Sequence, residues 1–175
     1  MSKELVKLAR EAINSHFENK KISEEKYKKF NQKKGVFVTL KTLDDELRGC
    51  IGRIESDHLG KALVDSALNA AFNDYRFSPL EKNEKFKIEV SILTKPENID
   101  IHEEKDLNKI KIGRDGLIID FNGNVGLLLP VVAVEYKLDA KGFIEHTCLK
   151  AGLDKNAWRD KNCKINKFEV EVFKE

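Results

Sequence analysis

Read for the positions of its apolar residues, the chain divides into helical and extended stretches. Leu5, Leu8, Ala9, Ala12, Ile13 and Phe17 recur at three- and four-residue steps, which predicts an amphipathic helix over about 2–19 with Ser2 as its N-cap. Val36, Val38 and Leu40 alternate with Phe37, Thr39 and Lys41, the period of a half-buried strand. Asp44-Asp45-Glu46 reads as a turn, and the segment through Ile54 as the returning arm of a hairpin. Leu59, Leu63, Ala67, Ala70 and Ala71 predict a helix over 59–73, whose alanines suit a close approach to another element; Ser78-Pro79 bars its continuation. Phe86, Ile88, Val90 and Ile92 mark one face of a strand over 85–93, which Lys95-Pro96 ends.

In the second half, residues 100–115 are charged and read as a surface loop. Two apolar runs, 117–121 and 125–129, flank Asn122-Gly123, the pair that supplies both φ > 0 positions of a type I′ hairpin turn. Pro130 suits the first turn of a helix, and a further helix is predicted over 140–151 with Gly152 as its C-terminal cap. Phe168, Val170 and Val172 alternate with charges in a final strand over 163–173. Strands outnumber helices and are joined by hairpins. The expectation is an α+β fold, mostly antiparallel sheet flanked by helices, in a single domain over 1–175.

Composition narrows the class. Of 175 residues, 41% are hydrophobic and 35% charged, enough for a real core beneath a densely charged surface. The 32 basic and 30 acidic side chains leave a net charge of only +2, which argues against a DNA-coating protein. Three widely spaced cysteines, at 50, 148 and 163, make neither a disulfide framework nor a zinc pattern, and fit a reducing interior. The charged N-terminus has no apolar signal core and no apolar run approaches a membrane span, so a cytoplasmic location is expected. Charge concentrates in residues 19–34, with seven lysines against two glutamates. That run reads as a solvated connector; the alternative is an anion- or nucleic-acid-facing patch with Tyr27 and Phe30 as stacking residues.

The candidate chemistry centres on Leu47-Arg48-Gly49-Cys50-Ile51-Gly52 and the Arg53 that follows. A cation beside a thiol favours the thiolate, and glycines allow close backbone approach. Cys50 is therefore either a nucleophile flanked by Arg48 and Arg53 or a small buried hydrophobe, with Gly49 and Gly52 packing on ligand or on protein. In Asp74-Tyr75-Arg76-Phe77, Arg76 either grips a carboxylate or phosphate as a fork oriented by Asp74, or pins the loop in a local salt bridge. His146 and Cys148, two residues apart on one helix, point to different faces; Cys148 and Cys163 read as core. His16, His58 and His102 have no partners at ligand spacing, and no metal or cofactor site is expected. Walker-type, G-x-S-x-G and G-x-G-x-x-G motifs are missing from the sequence.

Taken in order, these motifs resemble the AMMECR family. The signature is Leu47 to Gly52, preceded by the strand Val38 to Lys41. Asp74-Tyr75-Arg76-Phe77-Ser78-Pro79 is similar to the family's Asp-Pro-Arg-Phe-x-Pro, and Gly126 to Pro130 to its Gly-Leu-Leu-Leu-Pro-Gln. Thr147 to Leu153 and Phe168 to Glu175 match its late helix and last strand. The chain departs from the pattern at Tyr75, where the family has proline, at Val131, where it has glutamine, and at Lys137-Leu138, where it has Gly-Trp. The resemblance implies an α+β fold with a larger lobe and a smaller, hairpin-rich one. The coincidence of cysteine, arginines and glycines points to a cleft around Cys50 and Arg48, with Asp74 and Arg76 as further catalytic candidates and Gly49, Gly52, Arg53, Phe77 and Pro130 as ligand-binding ones. Short prokaryotic members resemble protein A of a three-component set with a Memo-like protein and a radical-SAM enzyme, which are the implied partners. Two functions stand side by side: a thiol-dependent enzyme or enzyme subunit of that pathway, and a non-catalytic binding module for a protein or RNA.

Overall fold

The apolar stripe at the start of the chain forms helix α1, Ser2–Phe17, in the computed structural model, which describes residues 2–175. The cap expected of Ser2 rests on a side chain outside the described residues. Two compact units follow from the packing. One comprises Met1–Leu93 with Glu171–Glu175, the other Thr94–Val170.

In the first unit, α1 is followed by α2 (Glu24–Lys28), β1 (Val36–Lys41), β2 (Leu47–Arg53), α3 (Leu59–Phe72) and β3 (Lys87–Leu93). Strand β1 pairs antiparallel with β2 on one side and with β3 on the other. The apolar residues of β1 and β3 (Val36, Val38, Leu40, Ile88, Val90 and Ile92) share one face and form a single core with residues of α1 and α3. Burying that face is the main drive for the unit, since apolar area removed from water stabilises by about 25 cal/mol per Å².

The lysine-rich run departs from expectation. It contains α2, and Phe30 is buried in the core at 4% exposure, so it is not a free stacking residue. Its charge is largely matched: Lys20 pairs with Glu18, Lys26 with Glu11, Lys29 with Glu4 and Lys33 with Asp57. A short helix, five residues long, leaves too weak a periodicity to show against so many lysines.

The second unit holds β4 (Glu97–Asn98), β5 (Asp115–Phe121), β6 (Asn124–Leu128), α4 (Pro130–Glu135), α5 (Ala140–Lys150) and the first part of β7 (Lys164–Lys174). Here β7 lies between β4 and β5, and β5 pairs onward with β6, all antiparallel. Asn122 (φ 52°) and Gly123 (φ 80°) make the turn that their sequence predicts, and Gly152 (φ 75°) follows α5 as its cap. The core gathers Trp158, Phe143, Ile144, Leu117, Ile119 and Ile165. Residues 100–115 are more than a surface loop. A capping box between Glu103 and Asp106 starts a 3-10 turn, Glu104–Lys109, and Ile101, Ile110 and Asp115 are buried. Among the described residues, no helix is long and apolar enough to cross a membrane.

Candidate functional site

Alternation along β2 decides which signature residues share a face. Gly49 faces α3: a Cβ there would lie 2.2 Å from the carbonyl oxygen of Ala70, so only glycine lets the helix approach. Cys50 and Gly52 therefore present the opposite face, while at Arg48 the register with β1 slips at a bulge between Leu40 and Lys41. The register with β1 sets Thr39 against Cys50 and Phe37 against Gly52. A Cβ on Gly52 would lie 2.3 Å from the Phe37 ring and 2.4 Å from the Val36 oxygen. Both glycines thus serve packing against protein. On β3, Lys87, Glu89 and Ser91 lie opposite Lys41, Thr39 and Phe37, which extends the same face.

At its centre, Cys50 is held by its backbone. Its N–H donates to Asp74 Oδ2 at 2.9 Å, and its carbonyl accepts from Arg76 Nη2 at 3.2 Å. Arg76 also grips Asp74 in a fork, Nε to Oδ1 at 2.9 Å and Nη2 to Oδ2 at 2.7 Å. The Asp74 carboxylate is 1% exposed, and its Oδ1 accepts the Arg76 N–H as well. The Arg76 fork holds the Asp74 pKa down at about 2, against the opposing effect of burial and with help from the two backbone N–H groups. The turn is fixed by its own hydrogen bonds, with Tyr75 at the position where the resemblance implies proline. Phe77 N–H donates to the Asp74 carbonyl while the Asp74 side chain closes an Asx turn, and Tyr75 is left 93% exposed.

The Cys50 thiol is not activated by its cations. Burial pushes its pKa up; Thr39 Oγ1, 3.2 Å away, and Arg76 pull down less, and Asp74 and Glu89 push up further. Arg48 is committed elsewhere, gripping Glu84 through Nε and, at 3.1 Å, through Nη2. Arg53 belongs to the opposite parity of β2, where its guanidinium lies 3.7 Å from Asp65 of α3. The expected flanking of the thiol by Arg48 and Arg53 therefore does not form. Phe77 does join the site, with the Arg76 and Arg48 guanidiniums 5.5 and 6.0 Å from its ring centroid. Pro130 belongs to the second unit, as the buried first residue of α4.

Several members of this face carried no sequence signal of their own. Thr39 and Glu84 meet Cys50 and Arg48 across long stretches of chain. Glu89 accepts from Lys41 and Lys174, both at 3.0 Å; burial pushes its pKa up, and the two ammoniums together outweigh that and lower it from the ordinary carboxylate value. Only the alternation of polar residues along β1 and β3 could have found Thr39 and Glu89; Glu84 lies on neither strand.

The other candidates fall outside this face. His146 is exposed, with Nδ1 2.8 Å from the Gly142 carbonyl of its own helix. Cys148 and Cys163 are buried in the second core, where burial pushes both thiols up, Cys163 to about 11. His58 caps α3 and His102 bonds the Trp158 carbonyl. Among the described residues, no group of three or more His, Cys, Asp or Glu is placed to hold a metal ion.

Comparison with known proteins places this arrangement. The family model described as AMMECR1 matches residues 6–173. Protein MJ0810 of Methanocaldococcus jannaschii is 48% identical, over 97% of this chain and 88% of its own length. An Aquifex aeolicus protein is 45% identical, over 99% and 92%. Among solved structures, the crystal structure of the uncharacterised protein PH0010 from Pyrococcus horikoshii superposes with a TM-score of 0.91, at 40% identity, covering 99% of this chain and 91% of the other.

Proposed function

This chain belongs to the AMMECR1 family, and on that premise we propose that it is a recognition subunit of a cytoplasmic pathway, with a Memo-like protein and a radical-SAM enzyme as partners. Its working surface is the polar face around Cys50 and Arg48. One observation carries the reading. Arg76 spends Nε and Nη2 on Asp74 and on the Cys50 carbonyl, while its Nη1 has no partner among the described residues. A guanidinium so fixed, 41% exposed, presents a preoriented donor to an incoming carboxylate or phosphate. The protonated, Thr39-bonded thiol beside it suits contact better than attack.

The test is capture by, and product formation with, a purified Memo-like protein and a purified radical-SAM enzyme. Arg76→Gln is expected to weaken capture, with folding checked by circular dichroism, and Cys50→Ser to leave both readouts intact. If Cys50→Ser abolishes product formation while capture and folding persist, the thiol is a nucleophile and the chain is an enzyme in its own right. RNA as partner has less support, because Phe30, one of the two rings expected to stack on bases, is buried in the core. RNA binding would show as an affinity that falls steeply with salt.

A further inference from the structure

Away from the polar face, the first unit contains a cavity of about 250 Å³ between α1, α2 and α3. Its walls are apolar: Ala12, Ile22, Val64 and Leu68. Two rings join them. His16 is seated on Phe72, ring centroids 4.1 Å apart and nearly parallel, and Tyr27 is braced edge-on against His58. Neither the His16 ring nitrogens nor the Tyr27 hydroxyl has a hydrogen-bond partner among the described residues. Three ammoniums, Lys20, Lys21 and Lys61, border the cavity against one carboxylate, Asp65. Lys61 is paired with Asp65 and Lys20 with Glu18, but Lys21 has no ion pair among the described residues. The chain bends into the cavity wall after α1 at Asn19, whose φ of 56° is left-handed.

We propose that this cavity is a binding site for a small organic anion bearing one flat aromatic ring system, a mononucleotide or an aromatic carboxylate. Apolar walls and two rings suit the ring; unpartnered polar groups at a few points fix its orientation, the usual composition of a small-molecule site. The anionic group would meet Lys21, with Lys20 and Lys61 adding attraction, since exposed ion pairs such as theirs exchange partners at little cost. The site takes up what the lysine run left unexplained: Lys20, Lys21 and Tyr27 converge here.

The test uses the full chain labelled with ¹⁵N and titrated separately with adenosine monophosphate, 4-hydroxybenzoate and inorganic phosphate at low salt. The expected result is saturable shifts at Ala12, His16, Ile22, Tyr27 and Val64 with at least one ring-bearing anion, at lower concentration than with inorganic phosphate. Lys21→Glu should weaken that binding about tenfold or more, and Arg76→Gln should leave it unchanged. Binding of inorganic phosphate as tight as that of both ring-bearing probes would overturn the proposal, as would shifts that survive Lys21→Glu. Silence from all three probes overturns it too, and tighter binding of an oligonucleotide than of the mononucleotide would replace it with nucleic-acid recognition. Because the cavity and the polar face are probed by different variants, failure here leaves the role of Arg76 standing.

Discussion

Asp74 accepts the backbone N–H of Cys50, so the two signature motifs are joined through the peptide of the cysteine and not through its thiol. The geometry explains why. Strand β2 is an edge strand, and at Cys50 its N–H and carbonyl point away from β1. Asp74 and Arg76 satisfy both groups, the part a neighbouring strand would otherwise play. The edge is closed there by a carboxylate and a guanidinium.

Removing Asp74 therefore strands two partners. Asp74→Ala leaves Arg76 without its counter-charge and the Cys50 N–H without an acceptor, and is expected to cost about 3 kcal/mol in urea unfolding. Acid stability provides a separate check. The folded pKa of Asp74, about 2, lies below its ordinary 3.8, so its contribution is present above the unfolded value and is lost as pH falls from 4 towards 2. That contribution is about 2 kcal/mol, and Asp74→Asn should flatten this limb of the stability curve.

The signature glycines are expected to report on stability. Gly49→Ala drives a methyl into the Ala70 carbonyl of α3, and Gly52→Ala into the Phe37 ring and the Val36 carbonyl. Each should cost about 2–3 kcal/mol by thermal or urea denaturation. Adding Phe37→Ala to Gly52→Ala should recover only part of the loss, because the Val36 backbone still blocks the methyl.

Lys137 predicts a gain. It adopts a φ of 52°, a left-handed conformation that costs a side-chain-bearing residue about 1 kcal/mol. Lys137→Gly should raise stability by about 0.5–1 kcal/mol, read as a higher Tm, because relief of strain outweighs the added freedom of the unfolded chain. No rise in Tm would mean that the loop carries no strain.

Alkylation of Cys50 should be slow at neutral pH and accelerate only above the ordinary thiol range, followed by mass spectrometry on folded protein. Arg76→Gln should shift that profile further upward, since Arg76 is the cation that favours the thiolate. Arg48→Gln should leave it in place, because Arg48 is bound to Glu84. A profile that responds to Arg48 would restore the activated-thiol view.

Much of the architecture was legible in the residues. The Asn122-Gly123 turn, the strand faces of β1 and β3 and the limits of α3 follow from local conformational preference and period. Short elements such as α2 and β4 have too few residues to show a period. The candidate site was legible as a set of motifs but not as a geometry. Cys50 meets Asp74 across 24 residues and Arg48 meets Glu84 across 36, and one of these contacts runs through a peptide N–H, which any residue could supply. Arg48 and Arg53 looked equivalent beside the cysteine. In the fold each is drawn to a different carboxylate, Arg48 to Glu84 and Arg53 to Asp65 of α3.

Strand β7 has a consequence for synthesis. Its residues 164–170 belong to the second unit, while residues 171–175 complete the first, where Arg10 holds Glu175 and Lys174 holds Glu89. The second unit is continuous in the chain; the first is not. On the ribosome, the half that emerges first must wait for residues 171–175, and the half that emerges second has all its residues before then. The order of completion is thus the reverse of the order of translation.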